Sequence, residues 1–338
     1  MQTMVDCPAG VRLRFRTESR SVAVSLIARP LYLVDVDLRF TATIELAVDG
    51  AVVASRQVGL HHIPVGSATG PMQPDGAEPE TVEFAGLEPG SKLVELWLPH
   101  TAVVDLLEVI TDAPLLPDPK LQRTWVHYGS SISHCLEAPS PTRTWPALVS
   151  RELNLDLLSL GIAGSALLDP FAARVIRDTD ADLITMKVGI NLVNLDAARK
   201  RTFAPLVHGF LDTIREGHPA TPIVVISPVI CPAHENLPGP TGMDARGVAT
   251  SLAQQPPRPD ALTLTDIRSI LEEIVSRRAG TDGNLHYLAG DLLLGYADAA
   301  AGRLPDGLHP DEEGYRLIAE RSGALLAMVL KGTSGDRA

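Results

Sequence analysis

Four short stretches of the chain hold residue types suited to acyl transfer. The first is TWVHYGSSISHC, residues 124–135, where a β-forming run enters a turn crowded with Ser130, Ser131 and Ser133. The others are Gly161-Ile162-Ala163-Gly164, Gly189-Ile190-Asn191, and LPDGLHPDEEGY, in which Asp306 and His309 stand three residues apart. A serine hydroxyl is a poor nucleophile and needs an adjacent base. His309 can take its proton, and Asp306 can hold the imidazole tautomer and stabilise the imidazolium. The tetrahedral oxyanion then needs preorganised donors. The backbone N–H of Ser131, that of Gly164 and the side-chain amide of Asn191 are of the right kind. Glycine at 164 keeps a Cβ out of the oxyanion's way. The Gly-x-Ser-x-Gly elbow is missing, because Ser133 stands at its second glycine. Each piece alone also reads as an ordinary turn or cap, with Pro310 suited to the first position of a helix. Their combination is more specific than any of them.

The elements around these turns would bring them together. RTWVHYG reads as a strand and TWPALVSRELN as a helix, with Thr144 placed to cap it and Pro146 in its first turn. LDLLSLGI, ADLITMKVG and TPIVVISPVI are further apolar strands, the last two continuous enough to be covered on both faces. FAPLVHGFLDTIREG is an amphipathic helix ending at Gly217. Helices are expected at ~262–279 and ~312–331, with a short strand at LHYLAG between them. Such alternation predicts an open parallel sheet with helices on both faces. Sites in these sheets lie on the loops after the carboxyl ends of the strands. A Pro- and Gly-rich connection at ~231–260 reads either as a functional cover or as a mobile insertion.

The set Ser131, Gly164, Asn191 and His309 resembles the four signature residues of the GDSL, or SGNH, family of serine esterases and acyltransferases. Asp306 matches the aspartate of that family's Asp-x-x-His. The resemblance runs over residues ~122–332. It implies a three-layer α/β/α fold of flavodoxin-like kind, and neither a metal nor an organic cofactor. Two positions depart from the pattern. Ser130 replaces the aspartate of Gly-Asp-Ser, and Leu192 follows Asn191 where aspartate is usual. Neither carboxylate belongs to the Ser-His-Asp set, so the departures bear on loop geometry and substrate choice more than on the reaction.

Residues ~10–110 read differently, as short strands without an amphipathic helix. VRLRFR alternates with period two, and Asp49-Gly50 joins two β-rich runs as a hairpin. ETVEFAGLEPGSKLVELWLP adds two strands across a Pro-Gly turn. The expected domain is an all-β antiparallel sandwich. It is similar to the front domain of an SGNH subgroup that includes an acyltransferase tailoring a tetracycline-type polyketide. DAPLLPDPKLQR reads as a stiff linker. The division expected is a sandwich over 1–118 and a catalytic domain over 119–338.

Length and composition bound the rest. At 338 residues the chain is too long for one small core. A net charge of -12 argues against nucleic acid, which needs a basic stripe. Aromatics at 4% argue against a sugar-stacking surface, so the sandwich is expected to be structural or to wall the site. No run approaches the ~18 apolar residues of a membrane span. The three cysteines, Cys7, Cys135 and Cys231, are far apart and odd in number, which fits a reducing cytoplasm. His61 and His62 lack neighbouring metal ligands in the sequence, and His134, His234 and Glu235 are either substrate contacts or satisfied polar groups. Three functions follow: a serine esterase, an acyltransferase to an alcohol, or a non-catalytic binding protein. The partner expected is a small ester or acyl donor, and a homo-oligomer is left open.

Overall fold

Residues 2–66, 76–118, 122–254 and 256–332 are described by a computed structural model. The chain divides into two compact units, Met1–Gln122 with Ala138–Ala147, and Arg123–Glu137 with Leu148–Ala338.

The first unit begins with a one-turn helix α1 (Gln2–Val5) and continues as strands β1 (Arg12–Thr17), β2 (Ser21–Leu33), β3 (Leu38–Arg39), β4 (Ala42–Val48), β5 (Ala51–Val58), β6 (Ile63–Val65), β7 (Glu80–Ala85), β8 (Lys92–Trp97) and β9 (Ala102–Thr111). One antiparallel sheet runs β1-β8-β4-β5. The other is built on the long β2, which pairs with β7 and β9 along its body and with β3 and β6 at its end. Val22, Val24 and Leu26 of β2 share a core with Ile44 and Leu46 of β4 and Val94 and Leu96 of β8, so the two sheets form a sandwich. Asp49 and Gly50 both take positive φ, 48° and 86°, as a two-residue hairpin turn of the primed kind requires. The strands flanking the Pro-Gly turn do not pair with each other: β7 joins β2, whereas β8 joins β1 and β4.

The proline-rich connector is less free than its composition suggests. Leu116 exchanges backbone hydrogen bonds with Arg16, and Asp118 accepts from Arg14 and Arg16. Residues 119–121 of that connector lie outside the described residues. In β6's neighbourhood the ring Nε2 of His62 lies 2.9 Å from the Phe40 carbonyl.

The second unit is a three-layer α/β/α domain. Its five-stranded parallel sheet comprises β10 (Arg123–Gly129), β11 (Leu155–Gly161), β12 (Leu183–Lys187), β13 (Ile223–Ile226) and, after a small hairpin of β14 (Thr241–Met243) and β15 (Ala249–Ser251), β16 (Leu285–Leu288). The order is β11-β10-β12-β13-β16, the flavodoxin-like arrangement 2-1-3-4-5. The helices are α2 (Ser131–His134), α3 (Trp145–Glu152), α4 (Pro170–Arg177), α5 (Ile190–Asn194), α6 (Lys200–Gly217), α7 (Leu264–Arg278), α8 (Gly290–Leu293), α9 (Tyr296–Ala300) and α10 (Glu312–Gly332). Right-handed crossovers that move one way along the sheet lie on one face, and those that move the other way lie on the opposite face. The step from β10 to β11 therefore puts α3 on one face, and the later steps put α4, α6 and α7 on the other. Contacts agree: α4 packs on α6 and α6 on α7, while Gly323 of α10 lies against Val149 and Glu152 of α3. Every residue of β12 and β13 is buried, as strands covered on both faces must be. Among the described residues, no helix is long and apolar enough to cross a membrane.

One buried group works against this core. Lys187 ends β12 almost wholly buried, and its Nζ has no hydrogen-bond partner among the described residues. Burial pushes its pKa down to about 7 from 10.5. An unpaired polar group in such a place costs stability. Lys187→Met is expected to raise the free energy of unfolding at pH 7 by about 1–3 kcal/mol in urea denaturation. The unfolded chain holds this proton up to a higher pH than the folded one. Stability of the natural protein should therefore climb from about pH 7 towards 10.5, and that contribution should vanish in the variant.

Candidate active site

The turn after β10 is pulled tight. Ser133 N and His134 N both donate to the Ser130 carbonyl, at 2.9 and 3.0 Å, and Cys135 closes α2 with φ 64°. A Cβ on Gly129 would collide with Ser133 Oγ, so the strand must end in glycine for the turn to fold back over it. Beneath the turn, His127 Nε2 lies 2.8 Å from Ser133 Oγ and His127 Nδ1 lies 2.6 Å from Thr185 Oγ1. Burial, aided by Lys187, holds the His127 ring neutral, with its pKa pushed down to about 3. Ser133 thus sits inside α2 as a tether. Ser130, buried, has an Oγ without a hydrogen-bond partner among the described residues.

Ser131 holds the first helical position, and its hydroxyl meets the far end of the chain. His309 Nε2 lies 3.0 Å from Ser131 Oγ, and His309 Nδ1 lies 2.7 Å from Asp306 Oδ2. The other carboxylate oxygen, Oδ1, accepts from the backbone N–H of Leu308 at 2.8 Å and of His309 at 2.6 Å. The aspartate therefore folds its own loop and orients the ring it carries. Burial favours protonation of Asp306, but the His309 ring and the two N–H donors outweigh it and hold the carboxyl below its ordinary range. For His309, burial pulls the pKa down; the charges of Glu137 and Asp306 outweigh that, and it lies above 6.5.

Glu137 has no counterpart in the sequence reading. Its Oε1 lies 3.7 Å from His309 Nδ1, and its Oε2 accepts from Tyr315 Oη at 2.7 Å. A lone glutamate in CLEAPSP gives no local signal of this, because its partners stand over 170 residues away in sequence.

The two other expected donors lie on the next two loops. Gly164 has φ +68°, and a Cβ there would meet nothing within 4 Å, so backbone conformation is what calls for glycine. Asn191 is the second residue of α5, which Gly189 caps at φ 122°. Its Oδ1 accepts from Ala166 N at 3.0 Å, which ties it to the loop carrying Gly164 and turns its NH2 group the other way. Ser131, His309 and Asp306 thus form one hydrogen-bonded chain, and Asn191 joins the Gly164 loop. Among the described residues, neither Gly164 nor Asn191 bonds to Ser131 itself.

The remaining polar candidates are engaged elsewhere. His134 Nδ1 lies 3.1 Å from the Gly161 carbonyl. His234 lies between Leu237 O and Thr241 Oγ1, and Thr241 donates to Asn194 Oδ1. Glu235 pairs with Arg268 and accepts from Cys231 N. Burial pushes the Cys231 thiol up to about 12, and the Cys135 thiol is buried and donates to Ile132 O. The long connection, of which residue 255 lies outside the described residues, is hydrogen-bonded at both ends of its hairpin. Thr241 ties it to Asn194, and Ala249 N donates to Asp306 O at 2.7 Å.

The GDSL-like lipase/acylhydrolase family matches residues 127–317. Among solved structures, the chain is similar to the salicylyl acyltransferase SsfX3 from a tetracycline biosynthetic pathway, with 32% identity and a TM-score of 0.80 over 97% of this chain and 84% of that one. A Bacteroides ovatus protein assigned to the GDSL-like lipases shares 20% identity, with a TM-score of 0.68 over 98% of this chain and 87% of that one. A family two carbohydrate esterase from Clostridium thermocellum, solved with cellohexaose, shares 16% identity, with a TM-score of 0.64 over 96% and 93%. The last two are likenesses of fold. No curated protein matches the sequence.

The tie between Asn191 and Ala166 allows a clean test of the donor side. Asn191→Asp keeps an acceptor for Ala166 N but replaces the NH2 donors with negative charge. It is expected to lower kcat on an ester by ~10²–10³, the range for loss of one oxyanion donor. Unchanged kcat in steady-state kinetics would remove Asn191 from the donor set.

Proposed function

The chain belongs to the GDSL-like lipase/acylhydrolase family, and from that premise we propose that it is a serine esterase that forms an acyl-enzyme on Ser131. Family and structural neighbours make it an enzyme, either an esterase or an acyltransferase, and leave the non-catalytic reading unsupported. The observation that carries the proposal is the relay of 3.0 and 2.7 Å from Ser131 Oγ through His309 to Asp306.

In the proposed reaction, Ser131 Oγ attacks the ester carbonyl as its proton passes to His309 Nε2. Asp306 keeps Nδ1 protonated, so that Nε2 presents its lone pair, and stabilises the imidazolium. The Ser131 and Gly164 N–H groups and the Asn191 amide receive the oxyanion. His309 then returns the proton to the leaving alkoxide. An incoming hydroxyl, activated by the same imidazole, releases the acyl group from Ser131. If that hydroxyl is water, the enzyme is an esterase.

A second reading, with an alcohol as acceptor, has its own support. The chain is 32% identical to a salicylyl acyltransferase, and that likeness spans 97% of it. Both readings share one acyl-enzyme, so the acceptor is the difference to be measured.

Ser131→Ala is expected to lower kcat by at least ~10³ on a p-nitrophenyl ester and to abolish labelling by a fluorophosphonate probe. Full activity in that variant would overturn the acyl-enzyme. Product analysis of the unmodified enzyme with competing alcohols separates the two readings. Free acid alone, at every alcohol concentration, identifies the esterase; ester products that rise with the alcohol identify the transferase.

A further inference from the structure

His309 faces two carboxylates at a single nitrogen. Asp306 Oδ2, at 2.7 Å, takes the hydrogen bond from Nδ1. Glu137 Oε1, at 3.7 Å, is too far for a hydrogen bond but close enough to act through charge. Glu137 is not a loose surface acid. It lies six residues past Ser131 on the same segment, partly buried, and Tyr315 Oη donates to it at 2.7 Å. Tyr315 is itself wholly buried in the first turn of α10, where its N–H donates to Asp311 O. The latch is thus built into the helix that follows His309.

We propose that Glu137, latched by Tyr315, is a positioning residue that stabilises the His309 imidazolium formed when Ser131 gives up its proton. The proposal rests on the acyl-enzyme reading above. It also gives the site a reserve: an imidazolium beside two anions keeps one when the other is removed.

The charged and titratable groups around the ring agree. Asp306 comes from its own loop and Glu137 from the segment after α2. Tyr315 of α10 is kept neutral by burial and by Glu137, well above the ordinary phenol value. Cys231, from the loop after β13, stays a thiol near Asp306, and the buried Cys135 thiol adjoins Tyr315. In the loop before α10, Arg303 is already paired with Asp311 at 3.0 Å. Burial alone would lower the His309 pKa; the Glu137 charge raises it, together with the hydrogen bond and charge of Asp306.

The sign of the effect separates charge from simple damage. The base must be neutral to accept a proton, so kcat/KM falls as pH drops through the raised His309 pKa. Glu137→Gln removes the charge and should move that acid limb to lower pH, by about 0.7 pH unit or more, the size of a unit-charge interaction at ~4 Å in water. The plateau value should fall, because the imidazolium loses a partner. A packing defect would lower the plateau without moving the limb.

Two measurements decide it. The first is the pH profile of kcat/KM for the natural enzyme, Glu137→Gln and Tyr315→Phe; the tyrosine variant, which frees the carboxylate, should move the limb the same way but less. The second is NMR titration of the His309 ring in the same proteins, which needs no turnover. A His309 midpoint unmoved by Glu137→Gln overturns the proposal. Ser131→Ala assayed alongside keeps the two failures apart. If that variant is active, the acyl-enzyme reading fails, and the His309 titration still judges Glu137. Asp306→Asn should keep measurable activity that is lost when Glu137→Gln is added; equal activity with and without Glu137 in that background would remove the reserve role.

Discussion

The catalytic unit depends on one reversal of direction. From β10 the sheet grows one way through β11 and the other way through β12, β13 and β16. Because crossovers keep their hand, the segments leaving β10 and β12 go to opposite faces. In open sheets of this kind, ligands bind where such segments part, at the carboxyl edge. Ser131 stands on one side of that division and Asn191 on the other. The central strands β12 and β13 are buried throughout and mostly apolar, so polar chemistry is driven to their ends. The last loop, before α10, returns His309 to the same edge, within reach of Ser131.

Two histidines of this unit show how environment assigns roles to one side chain. His127 is enclosed in the sheet near the buried amine of Lys187, and it is held uncharged far below its usual pKa. There it serves as a neutral strut between Thr185 and Ser133. His309 lies at the sheet's edge with two carboxylates facing its Nδ1 and is pushed the other way. One ring is kept neutral, and the other holds its proton more firmly than a free imidazole does. The rigidity of the first supports the turn from which the second draws its partner.

Much of this was legible in the sequence. The apolar runs of β12 and β13, the Asp49-Gly50 hairpin and the Gly129-Ser130-Ser131 turn each carry a local cause that can be read in order. The Asp306-to-His309 offset was equally plain, since three residues on a tight loop suffice for the contact. Other features had no local cause. Tyr315 and Glu137 carry no local signal of their pairing, because what joins them is tertiary. His127 sat in a β-forming run whose period puts it on the same face as Trp125, but only the packed sheet shows Thr185 beside both. The partners of β7 and β8 were likewise hidden, since turn chemistry tells where a chain bends and not which sheet receives the next strand.

The connection between β13 and α7 is best understood as a splint. Its composition suggested a cover or a loose insertion, yet Thr241 fastens it to the end of α5, and Ala249 fastens it to the carbonyl of Asp306. The helix that holds Asn191 and the loop that holds Asp306 are therefore spanned by one short hairpin. Strain applied to that hairpin is shared by the Asn191 helix and the Asp306 loop at once. Between residues 241 and 249 a change of length would alter the spacing of the two halves of the site, whereas the same change past Ser251 would leave both fastenings where they are.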